Sequence, residues 1–100
     1  MNAELSNLPI FPYLDQICEN LKSSESRFLV LTAETAAGKS TAVPLALLEG
    51  FDGKILMLEP RRLAASAIAD RLSDLLGEET GGRVGYRLHL DSKVSASTRL

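Results

Sequence analysis

The residues with the clearest chemical potential are Gly38, Lys39 and Ser40, within the stretch AETAAGKST at residues 33–41. A loop that binds phosphate needs small residues, so that successive backbone N–H groups can point at the anion. It also needs a lysine that reaches the outer phosphates and a hydroxyl that can hold Mg²⁺. The stretch therefore predicts a phosphate-binding loop. The alternative is an ordinary turn between a strand and a helix, with Lys39 exposed on its surface.

Two alanines stand where glycine is usual in such a loop. Ala33 closes the preceding apolar run and can lie in ordinary β geometry. If position 36 must adopt a left-handed backbone conformation around the phosphates, alanine there costs about 1–2 kcal/mol relative to glycine. We therefore expect Ala36 to weaken nucleotide binding by roughly tenfold without abolishing it.

The elements that must position this loop follow from the hydrophobic pattern. Short apolar runs predict buried strands at residues 27–33 and 54–60, and alternation predicts a half-buried strand at 83–90, with another strand opening at 98–100. Helical spacing predicts helices at 12–22, 38–49 and 61–77. This order predicts an α/β fold with a parallel sheet and flanking helices, in which 1–26 carry a leading helix and 27–100 form a βαβαβ core. The loop would then follow a strand and open a helix, where the helix dipole favours anions.

A second candidate anion site lies where the strand at 54–60 gives way to the next helix. Arg61 and Arg62 would stand at the positive end of that helix, which is unfavourable by about 0.3–1 kcal/mol for each exposed cation. A nucleic-acid phosphate would offset this cost, beyond the carboxyl end of a strand, where α/β proteins bind ligands. The alternative is a salt bridge to Glu59 or another acid.

Composition and charge exclude several other classes of protein. The chain has 45% hydrophobic and 24% charged residues, typical of a folded globular protein, and no apolar run long enough to cross a bilayer. Because no signal sequence is evident, we expect a cytoplasmic location and no membrane partner. Cys18 and His89 are each the single residue of their type, so neither a disulfide nor a Cys/His metal cluster is expected.

Charge is unevenly distributed although the net value is only −2. Residues 1–50 carry three Lys/Arg against six Asp/Glu, and residues 51–100 carry eight against seven. Residues 83–100 contain one acidic residue and four basic residues, which are Arg83, Arg87, Lys93 and Arg99. These four indicate either a binding patch or the solvated face of a strand.

Several separated stretches together resemble one known family. AETAAGKST, then AVPLALL, then MLEPRRLAASAIADRL and VGYRLHLDSKVSASTRL are similar to the DEAH-box helicases of superfamily 2, in particular the bacterial HrpB type. The resemblance covers about residues 8–100. Ala33 and Pro44 match the family pattern, whereas Ala36 departs from it.

The resemblance implies an ATP-dependent RNA helicase with RecA-like domains, of which this chain holds the first part of the first ATP-binding domain. Its partner would be single-stranded nucleic acid, expected to be RNA, and its cofactors ATP or another NTP with Mg²⁺. Lys39 would be the catalytic residue that neutralises phosphate charge, Ser40 the magnesium ligand, and Arg61 and Arg62 the nucleic-acid contacts. The nucleotide would be held by Glu34, Thr35, Ala36, Ala37, Gly38, Lys39, Ser40 and Thr41.

The hundred residues contain no Asp-Glu-x-His sequence, which would complete the magnesium site in this family. We therefore expect the chain to be an incomplete, poorly stable part of a larger protein with further C-terminal helicase domains, and to be inactive alone. Two alternatives stay open. One is a non-catalytic remnant that binds nucleotide, RNA or a partner, and the other is a small P-loop kinase.

Overall fold

The structure is a computed structural model that describes residues 3–23, 28–34 and 38–100. The chain divides into two compact units, Met1–Gly50 and Phe51–Leu100. The first unit holds helix α1 (Ala3–Ser6), a 3-10 turn (Phe11–Tyr13), and helices α2 (Leu14–Ser23) and α3 (Lys39–Gly50). The second unit holds helix α4 (Arg62–Leu76) and strands β1 (Tyr86–Leu88) and β2 (Asp91–Lys93).

Helices α2 and α3 pack against each other in the first unit. Their apolar faces meet those of the N-terminal residues, and the buried side chains are Leu5, Ile10, Leu14, Ile17, Ala42, Leu45, Ala46 and Leu48. The predicted helices at 12–22 and 38–49 are confirmed. Pro44 lies inside α3 and is buried. Since proline has no N–H, the carbonyl of Ser40 loses the hydrogen bond that this position would otherwise supply.

Helix α4 organises the second unit and packs on β1. The buried apolar side chains here are Ala69, Leu72, Leu75 and Val84. The helix ends at Gly77, which has φ +71° and donates its N–H to the carbonyl of Asp74. A left-handed residue at this position favours glycine, because a side chain would be strained there. The predicted helix at 61–77 is thus confirmed within one residue at each end.

The predicted half-buried strand at 83–90 is shorter than expected. Strand β1 covers only Tyr86–Leu88 and turns directly into β2, with Tyr86 opposite Lys93 and Leu88 opposite Asp91 in an antiparallel pair. The turn occupies residues 89 and 90, and Leu90 has φ +67° and is 91% exposed. The predicted strand included Leu90 with the alternating apolar residues of its buried face. The chain instead reverses at residues 89 and 90, so Leu90 lies in the turn and not in a strand.

The two predicted buried strands are also corrected. No strand forms at 28–34 or 54–59 in the described part of the chain. Phe28 and Val30 are 85% and 88% exposed, and Leu56 and Leu58 are 84% and 81% exposed. Alternate residues of 54–59 are less exposed, so this segment has one covered face and one open face. An apolar run favours burial, but whether it is buried depends on the other segments that pack against it, and the run does not determine those segments.

The last three residues form no strand, yet they are hydrogen-bonded on two sides. The N–H of Arg99 donates to the carbonyl of Arg83 at 2.9 Å, and the N–H of Gly85 donates to the carbonyl of Leu100 at 2.9 Å. On the other side, the N–H of Ile55 donates to the carbonyl of Arg99 at 2.6 Å. Residues 83–85 and 99–100 therefore advance in the same direction along these bonds. Within the described residues, no helix has both the length and the apolar character needed to cross a membrane.

Candidate nucleotide site

Gly38 lies in the candidate phosphate loop, immediately before helix α3. Its φ is +101°, a conformation that favours glycine. Its carbonyl accepts the N–H of Thr41 at 3.2 Å and the N–H of Ala42 at 2.8 Å. The Thr41 hydroxyl donates to the same carbonyl at 3.3 Å. Gly38 is thus fixed by both its backbone conformation and the first hydrogen bonds of the helix.

Lys39 is the first residue of α3 and its side chain turns back across the loop. The Nζ atom donates to the carbonyl oxygen of Ala33 at 3.1 Å, and the residue is exposed. The ammonium group therefore lies at the start of the loop while its backbone lies at the end. Since the first N–H groups of a helix have no intrahelical partners, α3 directs these donors and its positive dipole end toward the same region. This arrangement can hold an anion.

Ser40 follows in the first turn of α3 and is exposed. A hydroxyl oxygen beside bound phosphates suits Mg²⁺, a hard cation that usually keeps several waters and is bound through few protein groups. No group of three or more His, Cys, Asp or Glu residues with metal-binding geometry occurs in the described ranges.

The remaining predicted loop residues are only partly described. Glu34 is exposed and Ala33 half-buried, and both lie at the start of the loop in irregular backbone. Thr35, Ala36 and Ala37 lie outside the described residues, so the expected conformation of Ala36 stays a prediction. The hydrogen bond from Lys39, a predicted nucleotide ligand, to the Ala33 carbonyl thus brings the two ends of the loop together.

Arg61 and Arg62 stand where the sequence predicted them, at the start of α4. Arg61 is the N-cap residue in extended backbone conformation and is exposed, and Arg62 is the first helical residue. No ion pair joins Arg61 to Glu59 in the described part of the chain. The salt bridge considered as an alternative is therefore not formed between these two residues, and Arg61 is exposed at a helix N-terminus.

The four basic residues near the C-terminus have different surroundings. The Nε atom of Arg83 pairs with Glu78 at 2.6 Å. The guanidinium of Arg99 donates to the carbonyl of Phe51 and, at 3.2 Å, to that of Gly53. Arg87 and Lys93 are exposed on the hairpin. Two of the four cations are therefore bound within their own unit, which leaves two for solvent or a partner.

Cys18 behaves as a small apolar residue. Its Sγ donates to the carbonyl of Ala46 at 3.6 Å. Burial raises the pKa of the Cys18 thiol, although Lys22 opposes this shift. The thiol is therefore protonated at neutral pH, and the reactive thiolate is disfavoured.

Comparison with known proteins gives one consistent result. No family model matches the chain. It is 45% identical to the ATP-dependent RNA helicase HrpB of Escherichia coli (strain K12) over 98 residues, covering 96% of the chain and 12% of that protein. It is 36% identical to the DExH-box ATP-dependent RNA helicase DExH1 of Arabidopsis thaliana, covering 100% of the chain and 11% of that protein. The crystal structure of E. coli DEAH/RHA helicase HrpB matches 94% of the chain, and 12% of its own, with a TM-score of 0.84.

The chain is a homologue of one part of the DEAH/DExH-box RNA helicases. It has the RecA-like fold of the matching part of the HrpB structure, and it spans 12% or less of the length of the relatives named above. The resemblance drawn from the separated motifs is thereby confirmed. The P-loop kinase interpretation finds no support in these helicase relatives.

Sequence reasoning missed several residues that hold the helicase segment together. Leu8 and Ile10 lie against Gly38, which follows them in the chain by thirty and twenty-eight residues respectively. Glu78 and Arg99 anchor loops in the second unit. Nothing in the local pattern could reveal these contacts, because each joins a residue to backbone or side chains outside its own element.

Proposed function

We propose that the chain is the nucleotide-binding part of an ATP-dependent RNA helicase, in which NTP hydrolysis is coupled to unwinding of RNA or movement along it. The observation that carries this proposal is the loop-to-helix geometry at Gly38 and Lys39, in a chain homologous to proteins named as ATP-dependent RNA helicases. The remaining helicase domains would lie outside these hundred residues. The cytoplasmic location stays a prediction from the sequence.

Each loop residue would have a distinct task toward the nucleotide. Backbone N–H groups at 35–40 would surround the phosphates, with Glu34 and Thr41 at the two ends of the loop. Lys39 would leave the Ala33 carbonyl and contact the outer phosphates, where its charge stabilises the negative charge of the transferred group. Ser40 would ligate Mg²⁺. The metal would supply further neutralisation of the phosphate charge.

Arg61 and Arg62 would bind the phosphate backbone of single-stranded RNA. The exposure of Arg61 and the position of both residues at the N-terminus of α4 support this role. Helix N-termini and guanidinium groups both bind phosphate without reading base sequence. We therefore expect these contacts to set affinity and its dependence on salt, and to carry little sequence preference.

The parallel sheet is part of the same proposal. Support for it comes from residues 99–100, which are hydrogen-bonded to residue 55 and to residues 83–85 and run in the same direction as 83–85. A groove of about 480 Å³ continues from there between the segment 54–59, helix α4 and strand β1. The exposed apolar side chains of Leu56 and Leu58 give this segment a second apolar face, which the flanking helices of a RecA-like sheet would cover. Residues 1–26 would then precede a βαβαβ core at 27–100, incomplete by itself.

The intact protein should hydrolyse ATP faster when single-stranded RNA is added, and should unwind an RNA duplex that carries a single-stranded overhang. Reversing both charges, with Arg61→Glu and Arg62→Glu, should weaken RNA binding. It should also reduce the slope of log affinity against log salt by about 1.4, because each neutralised phosphate of a single strand adds roughly 0.7 to that slope. The matched control is Lys54→Glu with Arg71→Glu, which changes the net charge equally. RNA affinity that is the same in both double variants would contradict the assignment of Arg61 and Arg62.

A further inference from the structure

Leu8 lies directly against the backbone of the candidate phosphate loop. A Cβ atom placed on Gly38 would be 2.7 Å from Leu8 Cδ1 and 3.2 Å from Leu8 Cβ. It would also be 3.2 Å from Ile10 Cγ2. These distances are shorter than ordinary apolar contacts, so the side chains of Leu8 and Ile10 already occupy the space beside the Gly38 Cα.

The segment that carries Leu8 is itself held in place. The N–H of Leu8 donates to the carbonyl of Leu5 at 3.1 Å, and the carbonyl of Leu8 accepts the N–H of Phe11 at 3.0 Å. The carbonyl of Ile10 accepts the N–H of Tyr13 at 3.0 Å. Leu5 and Ile10 are 2% and 5% exposed. The segment that contacts Gly38 is thus held in place by the core of the first unit.

The position of Gly38 determines the position of the anion-binding groups. Its carbonyl accepts the N–H groups of Thr41 and Ala42, so its position fixes where the first turn of α3 begins. Lys39 and Ser40 lie in that turn, and their N–H groups and side chains follow its direction. A binding site loses affinity when its groups move by fractions of an ångström, because their hydrogen bonds to the ligand lengthen.

We propose that Leu8 is a positioning residue for nucleotide binding, which acts by fixing Gly38 and through it the N-terminus of α3. This inference rests on the proposed nucleotide-binding function. In this arrangement Leu8 would act through Gly38 and not by contact with the reacting atoms. Its removal should therefore reduce nucleotide affinity and leave the chemical step of bound nucleotide nearly unchanged. Ile10 shares the contact, but its deeper burial makes it a less selective site for substitution.

The test uses the intact protein and RNA-stimulated ATP hydrolysis. Leu8→Ala should raise the KM for ATP by about three- to tenfold and leave kcat within about twofold. Leu8→Val, which removes the Cδ1 atom nearest Gly38 with less loss of volume, should shift KM in the same direction if Leu8→Ala does not fold. Leu8→Met, which keeps the volume, should restore KM to within about twofold of the unmodified protein. The matched control is Leu21→Ala, a half-buried leucine of α2 in the same unit.

The control should lower stability while leaving the KM for ATP unchanged. An unchanged KM in the Leu8 variants, or an equal rise in KM for Leu21→Ala, would overturn the positioning role of Leu8 while the proposed function stands. An unmodified protein that neither binds nor hydrolyses ATP would overturn the proposed function, and the role of Leu8 with it.

Discussion

Replacing Gly85 with alanine should disrupt the second unit at the base of its hairpin. A Cβ atom on Gly85 would overlap the backbone carbonyl oxygen of Lys93, and would lie 3.1 Å from both Thr98 Cγ2 and Val94 Cγ1. A side chain could rotate away from such an overlap, but a backbone carbonyl at the end of β2 can move only with its strand. Overpacking costs about 1–3 kcal/mol, and the backbone obstacle places this substitution near the upper end, at about 2–3 kcal/mol.

Hydrogen exchange in the intact protein measures this effect locally. A loss of about 2 kcal/mol corresponds to roughly thirtyfold faster exchange of the amides at 83–95. Gly53→Ala is the matched control, because a Cβ atom there meets nothing within 4 Å. That substitution should leave protection unchanged, or raise it by about 0.4–1 kcal/mol through the unfolded state. Unchanged exchange in Gly85→Ala, or an equal loss in Gly53→Ala, would refute the steric argument.

Three further predictions concern single residues. Arg99→Ala removes the hydrogen bonds to its two carbonyl partners, so it should lower the free energy of unfolding, measured by urea titration, by about 2 kcal/mol. Arg87→Ala, at an exposed site, should change this free energy by less than about 0.5 kcal/mol. Hydrogen bonds from the backbone N–H and guanidinium of Arg83 lower the pKa of Glu78 from its ordinary value of 4.5. These hydrogen bonds therefore stabilise the folded protein fully above pH 4.5, and this stabilisation is lost as the pH falls through the lowered pKa of Glu78. Glu78→Gln should flatten this acid dependence of stability, and an unaltered profile would exclude Glu78 as its source. Ala36→Gly should tighten nucleotide binding by roughly tenfold in a titration, and unchanged affinity would show that alanine is not strained there.

Local signals in the sequence predicted the helices well. The N-terminus of α3 follows from a glycine that can adopt positive φ, and the end of α4 follows from the same property of Gly77. The periodic apolar residues of α4 identified its buried face, including Leu72 and Leu75. These features depend on neighbours within one or two helical turns, which is why the sequence alone contains them.

Non-local contacts were not predictable in the same way. The apolar segments around Val30 and Leu56 have the composition of buried strands, but the residues that would pair with them are not specified by that composition. The early turn at Leu90 also escaped prediction, because a leucine at positive φ contradicts its own preference. For the candidate site, the loop and the arginines at α4 came from motif spacing, whereas the contact between Leu8 and Gly38 depends on how distant segments pack.

The binding of ATP with Mg²⁺ to the intact protein, compared with a Lys39→Gln variant, tests the central claim most directly. The Lys39 side chain reaches across the candidate loop through its bond to the Ala33 carbonyl. A charge-assisted contact to phosphate contributes about 1.5–3 kcal/mol, so the variant should bind at least about tenfold more weakly. Equal affinity of the two proteins for ATP, or no binding by the unmodified protein, would contradict a nucleotide site at this loop.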